Sequence, residues 1–158
     1  MSFFKKTVAL SVSFAVVAGL ALAGGHGPSP ADQAIKARQA KMSLYSYNLG
    51  ILGGMAKGDV DYDAKSAGLA AANLAALASV YMPSAWMPGT DNVAMKGTRA
   101  LPAIWESGSD VGSKAMALSA AATAMAAAAG TDLAGLRGTI GDVGKACGGC
   151  HKPFRAEE

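Results

Sequence analysis

The sequence predicts an all-α protein, an antiparallel up-down-up-down four-helix bundle. Three observations carry this expectation. Ala, Leu, Met, Lys and Gln dominate, and beyond the N-terminal stretch Val and Ile are sparse and never alternate with polar residues as a strand would. Apolar residues recur at steps of three and four along four separate segments. The joins between the first and second segments and between the third and fourth are short, which makes those neighbours antiparallel.

The chain opens with a segment that the bundle does not need. Lys5 and Lys6 precede an apolar run from Thr7 to Ala23, which ends in Ala21-Leu22-Ala23. A positive start, an apolar middle and a small-residue ending read as a secretory signal peptide over residues 1–23, removed on export to the periplasm. Residues 24–158 then form one domain, long enough for a real core. Of 14 basic residues two lie in this leader, so the remainder is close to neutral against 11 acidic residues. That balance, without a basic cluster, excludes a nucleic-acid binder, and nothing after the leader reads as membrane-spanning.

The first helix starts at Ser29 as N-cap with Pro30 at its first position, and Gly58 stops it after about Ala56. Ile35, Arg38, Met42, Tyr45, Leu49, Leu52 and Ala56 form its seam. The second runs from Asp61 or Asp63 to about Met82, before Pro83, with Leu69, Ala72, Ala76 and Val80 as its stripe and Leu74, Leu77 and Tyr81 beside it. A loop rich in Pro, Gly, Thr and Asp spans Pro83 to Leu101, long enough to suggest a functional role. The third helix opens around Pro102 and ends before Gly130. Its stripe is Ile104, Gly108, Val111, Ala115, Leu118, Ala122, Met125 and Ala129. The fourth is capped by Thr131 and runs to about Pro153, with Leu133, Leu136, Ile140, Val143, Cys147 and Cys150 inward.

The chemistry concentrates at the end of that last helix. Cys147-Gly148-Gly149-Cys150-His151 contains both cysteines of the chain and has the C-x-x-C-H form of c-type haem attachment. Cysteines three apart share a helix face and can each bond one haem vinyl group. His151, four residues from Cys147, shares that face and can ligate the iron from the proximal side, so one covalent haem c is expected. Gly148 and Gly149 remove bulk where the macrocycle edge approaches. A thioredoxin-like redox pair belongs at a helix N-terminus in a βαβ unit, and a zinc site needs a fourth ligand; neither setting is present. His26, the other histidine, lies in a glycine-rich tail and reads as solvated. Arg38 is the charged member of an apolar seam, so it needs an anionic partner unless its head snorkels to water.

The chain resembles the cytochrome c′ family, the class II c-type cytochromes. The resemblance rests on Ala34-Ile35-Lys36-Ala37-Arg38-Gln39, Pro88-Gly89-Thr90, Pro102-Ala103-Ile104-Trp105, and the stretch from Asp142-Val143-Gly144-Lys145-Ala146-Cys147 through Arg155. It implies a haem inside the bundle near the C-terminal helix, and a homodimer built from the first two helices. It also implies that Arg38 meets a haem propionate with Gln39 close by, and that Met42 covers the distal face. Thr98 and Arg99 then match a loop pair at the haem edge, and Arg155 a basic residue near the proximal histidine. Many relatives carry an acidic residue where this chain has Arg99. Tyr45 and Trp86 are expected to line the haem pocket, while Trp105 and Tyr62 read as core or interface packing.

The function expected from this is a five-coordinate, high-spin haem that binds small diatomic gases such as nitric oxide and carbon monoxide, transfers electrons to redox partner proteins, or both. The alternative is a low-spin electron carrier with Met42 as sixth iron ligand. An enzyme is not expected, because the distal side offers only Arg38 and Gln39 beside Met42 and no positioned acid–base pair.

Overall fold

The computed structural model describes residues 27–157; the leader and His26 lie outside the described residues. Four helices follow in order: α1 (Pro30–Lys57), α2 (Ala64–Ser79), α3 (Val111–Ala128) and α4 (Leu133–Phe154). Among the described residues the one extended pairing is an isolated antiparallel bridge between Ala100 and Arg155.

Local chemistry sets most of the boundaries. Ser29 Oγ accepts the N–H of Asp32 at 3.1 Å and the Asp32 carboxylate accepts the N–H of Ser29 at 3.2 Å, a reciprocal cap. Gly58 ends α1 at φ +86°, a left-handed conformation that glycine adopts at no steric cost, and its N–H donates to Gly54 and Met55 carbonyls. Asp63, one of the two starts foreseen, caps α2 by accepting the N–H of Ser66 at 2.7 Å.

Three boundaries differ from the sequence reading. Helix α2 stops at Ser79 rather than near Met82; Met82 precedes Pro83 and is forced out of helical geometry, and Lys41 Nζ captures the Val80 carbonyl at 2.9 Å. Helix α3 opens at Val111 rather than around Pro102. Pro102–Ile104 form a single 3₁₀ turn, and Gly108 at φ +86° breaks the path to α3. Ile104 and Gly108 therefore belong to the loop and not to the α3 stripe. The cap of α4 is Asp132, not Thr131: its carboxylate accepts the N–H of Gly135 at 2.7 Å.

Contacts at one end show that neighbouring helices run antiparallel. Tyr62, before α2, donates to the Ala129 carbonyl at the end of α3, and Arg137 at the start of α4 donates to the Ala56 carbonyl near the end of α1. Each helix packs on its neighbours in sequence and α4 returns to α1, more sparsely than it meets α3. The core holds Leu52, Met55, Leu74, Met125, Leu136 and Val143 with a set of alanines. The buried stripe of α2 is Ala67, Ala70, Ala71 and Leu74, whereas Leu69, Ala72, Ala76 and Val80 face outward. Small residues win the inner face because α2 and α3 approach closely: a Cβ on Gly130 would lie 3.0 Å from the Gly68 Cα. Asn73, on the exposed side of α2, donates its Nδ2 to Oδ1 of the buried Asn48 at 3.1 Å and ties α1 to α2 at one register.

The result is a bundle with two unlike ends. Gly58 and Gly130 lie in the short turns at one end. At the other, the start of α1, the end of α4 and the loop between α2 and α3 come together.

Candidate functional site

The second end carries the residues singled out in the sequence. Cys147, Cys150 and His151 lie on the last turns of α4, all three half-buried, with both thiols free. Burial pushes both thiols above their ordinary range, so they are protonated at neutral pH. This is the opposite of the activated thiolate that a redox pair requires. A Cβ added to Gly148 or Gly149 would meet nothing within 4 Å, so open space runs beside the motif. Burial first, then the charges of Arg155 and Arg99, holds the His151 imidazole below its usual range, which favours the neutral form that ligates iron. Among the described residues no three His, Cys, Asp or Glu side chains gather as a site for a bare metal ion.

Helix α1 faces this end. Tyr45 is buried near Cys147, and its phenol is pushed up to about 12 by burial and then by the charge of Cys147. Met42, one turn earlier, is 41% exposed and lies outside the seam that the apolar spacing predicts for it. The seam of α1 is instead Ile35, Arg38, Tyr45, Asn48, Leu52 and Met55, with Leu49 and Ala56 partly buried.

Arg38 is 6% exposed, so it does not snorkel. Its guanidinium donates to Thr90 Oγ1 and to the Thr90 carbonyl, both at 2.8 Å, and more distantly to Thr98 Oγ1 at 3.5 Å. It also lies 5.0 Å from the Trp86 ring and 5.7 Å from the Trp105 ring, a double cation–π contact. Its partners within the chain are thus neutral, and the anion that the sequence argument demanded is not supplied by a carboxylate among the described residues. Gln39 Nε2 donates to the Gly97 carbonyl at 2.6 Å, so Arg38, Gln39 and Thr98 meet where the loop crosses α1.

Arg99 and Arg155 lie together on the other flank of the motif. With His151, Lys152 and Ala156 they line a cleft of about 280 Å³. Arg99 Nε donates to the Ala156 carbonyl at 2.8 Å, and the N–H of Arg155 donates to the His151 carbonyl at 2.9 Å. Sequence reasoning missed Thr90 as the main partner of Arg38, and Trp105, whose indole donates to the Trp86 carbonyl at 2.9 Å and whose face meets Arg38. The conspicuous signal was Pro88-Gly89-Thr90, a turn motif with a hydroxyl at its end.

Comparison with known proteins agrees with this arrangement. Residues 33–155 match the family described as Cytochrome C′. The chain is 44% identical over 150 residues to cytochrome c-554 of Cereibacter sphaeroides, covering 95% of this chain and 97% of that one. Among solved structures it is similar to cytochrome c′ from Rhodobacter Spheriodes, at 35% identity and a TM-score of 0.78, over 81% of this chain and 98% of that one. It is also similar to a mutant of cytochrome c prime from Alcaligenes xylosoxidans in complex with nitric oxide, at 31% identity and a TM-score of 0.69, over 84% of this chain and 100% of that one. A four-helix bundle that ends in two free thiols and an imidazole on one helical face is, on these matches, a haem c protein, and the chain belongs to the cytochrome c′ family.

Proposed function

We propose that the mature chain is a periplasmic one-haem protein that binds small uncharged gases, nitric oxide and carbon monoxide among them, and passes single electrons to redox partner proteins. Cys147 and Cys150 hold the haem through thioether bonds, His151 is its proximal iron ligand, and Met42 covers the distal side. The observation that carries this reading is the α4 face itself: free, protonated, half-buried thiols three residues apart, an imidazole on the same face, and open space along Gly148-Gly149. The donor set of Arg38 fits the same group, because a buried guanidinium with only neutral partners has its charge left for a propionate. Gln39, Thr98, Arg99 and Arg155 complete the surround, the first two beside Arg38 and the last two beside His151. When bound, the haem supplies a one-electron couple and an iron coordination position for a diatomic ligand.

Visible absorption spectra of the oxidised and reduced protein, with and without each gas, test the reading. A reduced, high-spin spectrum that changes with nitric oxide and carbon monoxide is expected. A reduced spectrum that neither gas alters would overturn gas binding, and a colourless mature protein with two free thiols would overturn haem attachment.

A second reading, a low-spin electron carrier with Met42 as sixth ligand, is favoured by one observation. At 41% exposure the Met42 side chain is not core filler, so its thioether is free to serve another group. Met42→Ala separates the two: a low-spin spectrum that turns high-spin establishes ligation, and an unchanged high-spin spectrum excludes it.

A homodimer through α1 and α2 accords with the exposed apolar side chains there. Tyr47 is 68% exposed and Leu69 58%, with Leu44, Val80 and Tyr81 also outward. The leader supports export, and no helix among the described residues is long and apolar enough to cross a membrane.

A further inference from the structure

The turn of α4 that carries His151 is weak by composition. Gly148 and Gly149 are poor helix formers, and Pro153 lies inside the helix. Proline has no N–H, so the Gly149 carbonyl loses its ordinary partner four residues on, within the turn that holds His151. Something outside the helix must hold this turn in place if an iron ligand is to project from it at one angle.

We propose that Arg99 is a positioning residue for His151: it clamps the C-terminal tail to the loop and so fixes the last turn of α4. Both polar backbone groups of Ala156 go to this one residue. The N–H of Ala156 donates to the Arg99 carbonyl at 2.8 Å, and Arg99 Nε donates back to the Ala156 carbonyl at 2.8 Å. The clamp runs on through the Ala100–Arg155 bridge and the N–H of Leu101, which donates to the Phe154 carbonyl at 3.0 Å. It reaches the iron ligand directly, because the N–H of Arg155 donates to the carbonyl of His151 at 2.9 Å. Phe154 is buried between these bonds, so the tail is pinned by packing as well. Arg99 also lines the cleft beside His151, and loosening it opens that flank of the imidazole to water. This role is distinct from the contact with the haem edge that the resemblance implied for Arg99, and it rests on His151 being the iron ligand.

Two substitutions in the haem-bearing protein separate the hydrogen bond from the charge. Arg99→Gln keeps an N–H donor at the position of Nε and removes the charge, whereas Arg99→Met removes both. Two readouts are needed: hydrogen–deuterium exchange of the 155–156 amides by mass spectrometry, and the iron–imidazole stretching band just after photolysis of bound carbon monoxide. For Arg99→Met we expect exchange on the order of tenfold faster and a lowered, broadened band. Arg99→Gln should stay close to the parent protein in both. An unmoved band in Arg99→Met overturns the proposal even if exchange quickens, because the clamp would then not reach His151. So does Arg99→Gln behaving like Arg99→Met, which assigns the effect to charge. A colourless parent protein fails the haem reading instead, and unchanged exchange of the 155–156 amides in Arg99→Met overturns the clamp in that case too.

Discussion

The two ends of the bundle solve opposite problems with the same four helices. At the turn end, Leu52, Ala67, Ala71, Ala122, Met125, Ala129 and Leu136 are wholly buried, and the helices approach until glycine faces glycine at Gly68 and Gly130. At the motif end, Met42, Trp86 and Met87 are exposed, Cys147, Cys150 and His151 are half-buried, and a guanidinium lies inside the fold. The first end is close-packed and draws its stability from apolar burial. The second is held together by polar links between α1 and a loop, and its cysteines and histidine are packed less closely, which suits a large flat group. A bundle of equal packing throughout would have no room for the haem. One with polar links throughout would lack the apolar burial that a small domain depends on.

If that division is right, truncations at the two ends must differ in size. Leu136→Ala removes a wholly buried side chain from the turn end, where Gly135 already touches α3, so the site cannot collapse easily. It should cost about 2–5 kcal/mol in urea unfolding. Met87→Ala in the exposed loop of the motif end should cost less than about 1 kcal/mol. Equal losses would break the comparison.

How far these two ends could be read from the sequence differs in the same way. The motif, the cap at Ser29 and the glycine stop at Gly58 are local signals that local chemistry reads correctly, whereas the start of α2 was open between Asp61 and Asp63 and the cap of α4 is Asp132, one residue beyond Thr131. The inner faces of α1, α3 and α4 were legible in part where large and small residues contrast, as at Leu52, Met125 and Leu136. The face of α2 was not. In a helix composed largely of alanine, the periodicity points to large residues such as Leu69, whereas close helix approach reserves the inner face for Ala67, Ala70 and Ala71. The true start of α3 was hidden for another reason. The segment before it is ordered by distant partners, Arg38 with Thr90 and Trp105 with Trp86, and no local pattern reveals a bond across such separations. Arg38 itself shows the limit of single-residue logic: its need for a partner was legible, but the identity of that partner was not.

Glycines in α4 sharpen the contrast within one helix. A Cβ on Gly135 would lie 2.6 Å from the Ala128 carbonyl oxygen, a backbone atom that cannot rotate away. Gly135→Ala should therefore destabilise by about 1–3 kcal/mol through overpacking. At Gly138, one turn further on, an added Cβ meets nothing within 4 Å. Gly138→Ala should stabilise by roughly 0.5–1 kcal/mol, through helix propensity alone. Thermal unfolding of the two variants should move in opposite directions, and a shared sign would show that the close approach ends nearer the turn than Gly135.

A pH-dependent effect belongs to Tyr45, which is buried near Cys147. Its phenol is pushed up from 10.0 to about 12 in the fold, because burial disfavours the phenolate and the charge of Cys147 adds to that cost. The folded chain thus keeps a proton that the unfolded chain loses first. Stability from this group is fully present below pH 10.0 and falls as pH rises toward about 12. Lys41, whose ammonium is held below 10.5 by burial, has the opposite sign: the unfolded chain retains its proton longer, so its contribution rises with pH up to that value. The two lie within one contact, Lys41 Nζ being 5.9 Å from the Tyr45 ring, so the raw pH profile mixes them. The difference between the parent protein and Tyr45→Phe isolates the phenol, since the ring and its cation–π contact are kept. Urea unfolding at pH 9 and at pH 11.5 should show a loss in the parent that Tyr45→Phe lessens. With thioether bonds to Cys147 the charge of that thiol is gone, and only the burial cost remains. A haem-bearing protein should therefore show a loss smaller than one carrying free thiols by the share that the Cys147 charge contributed.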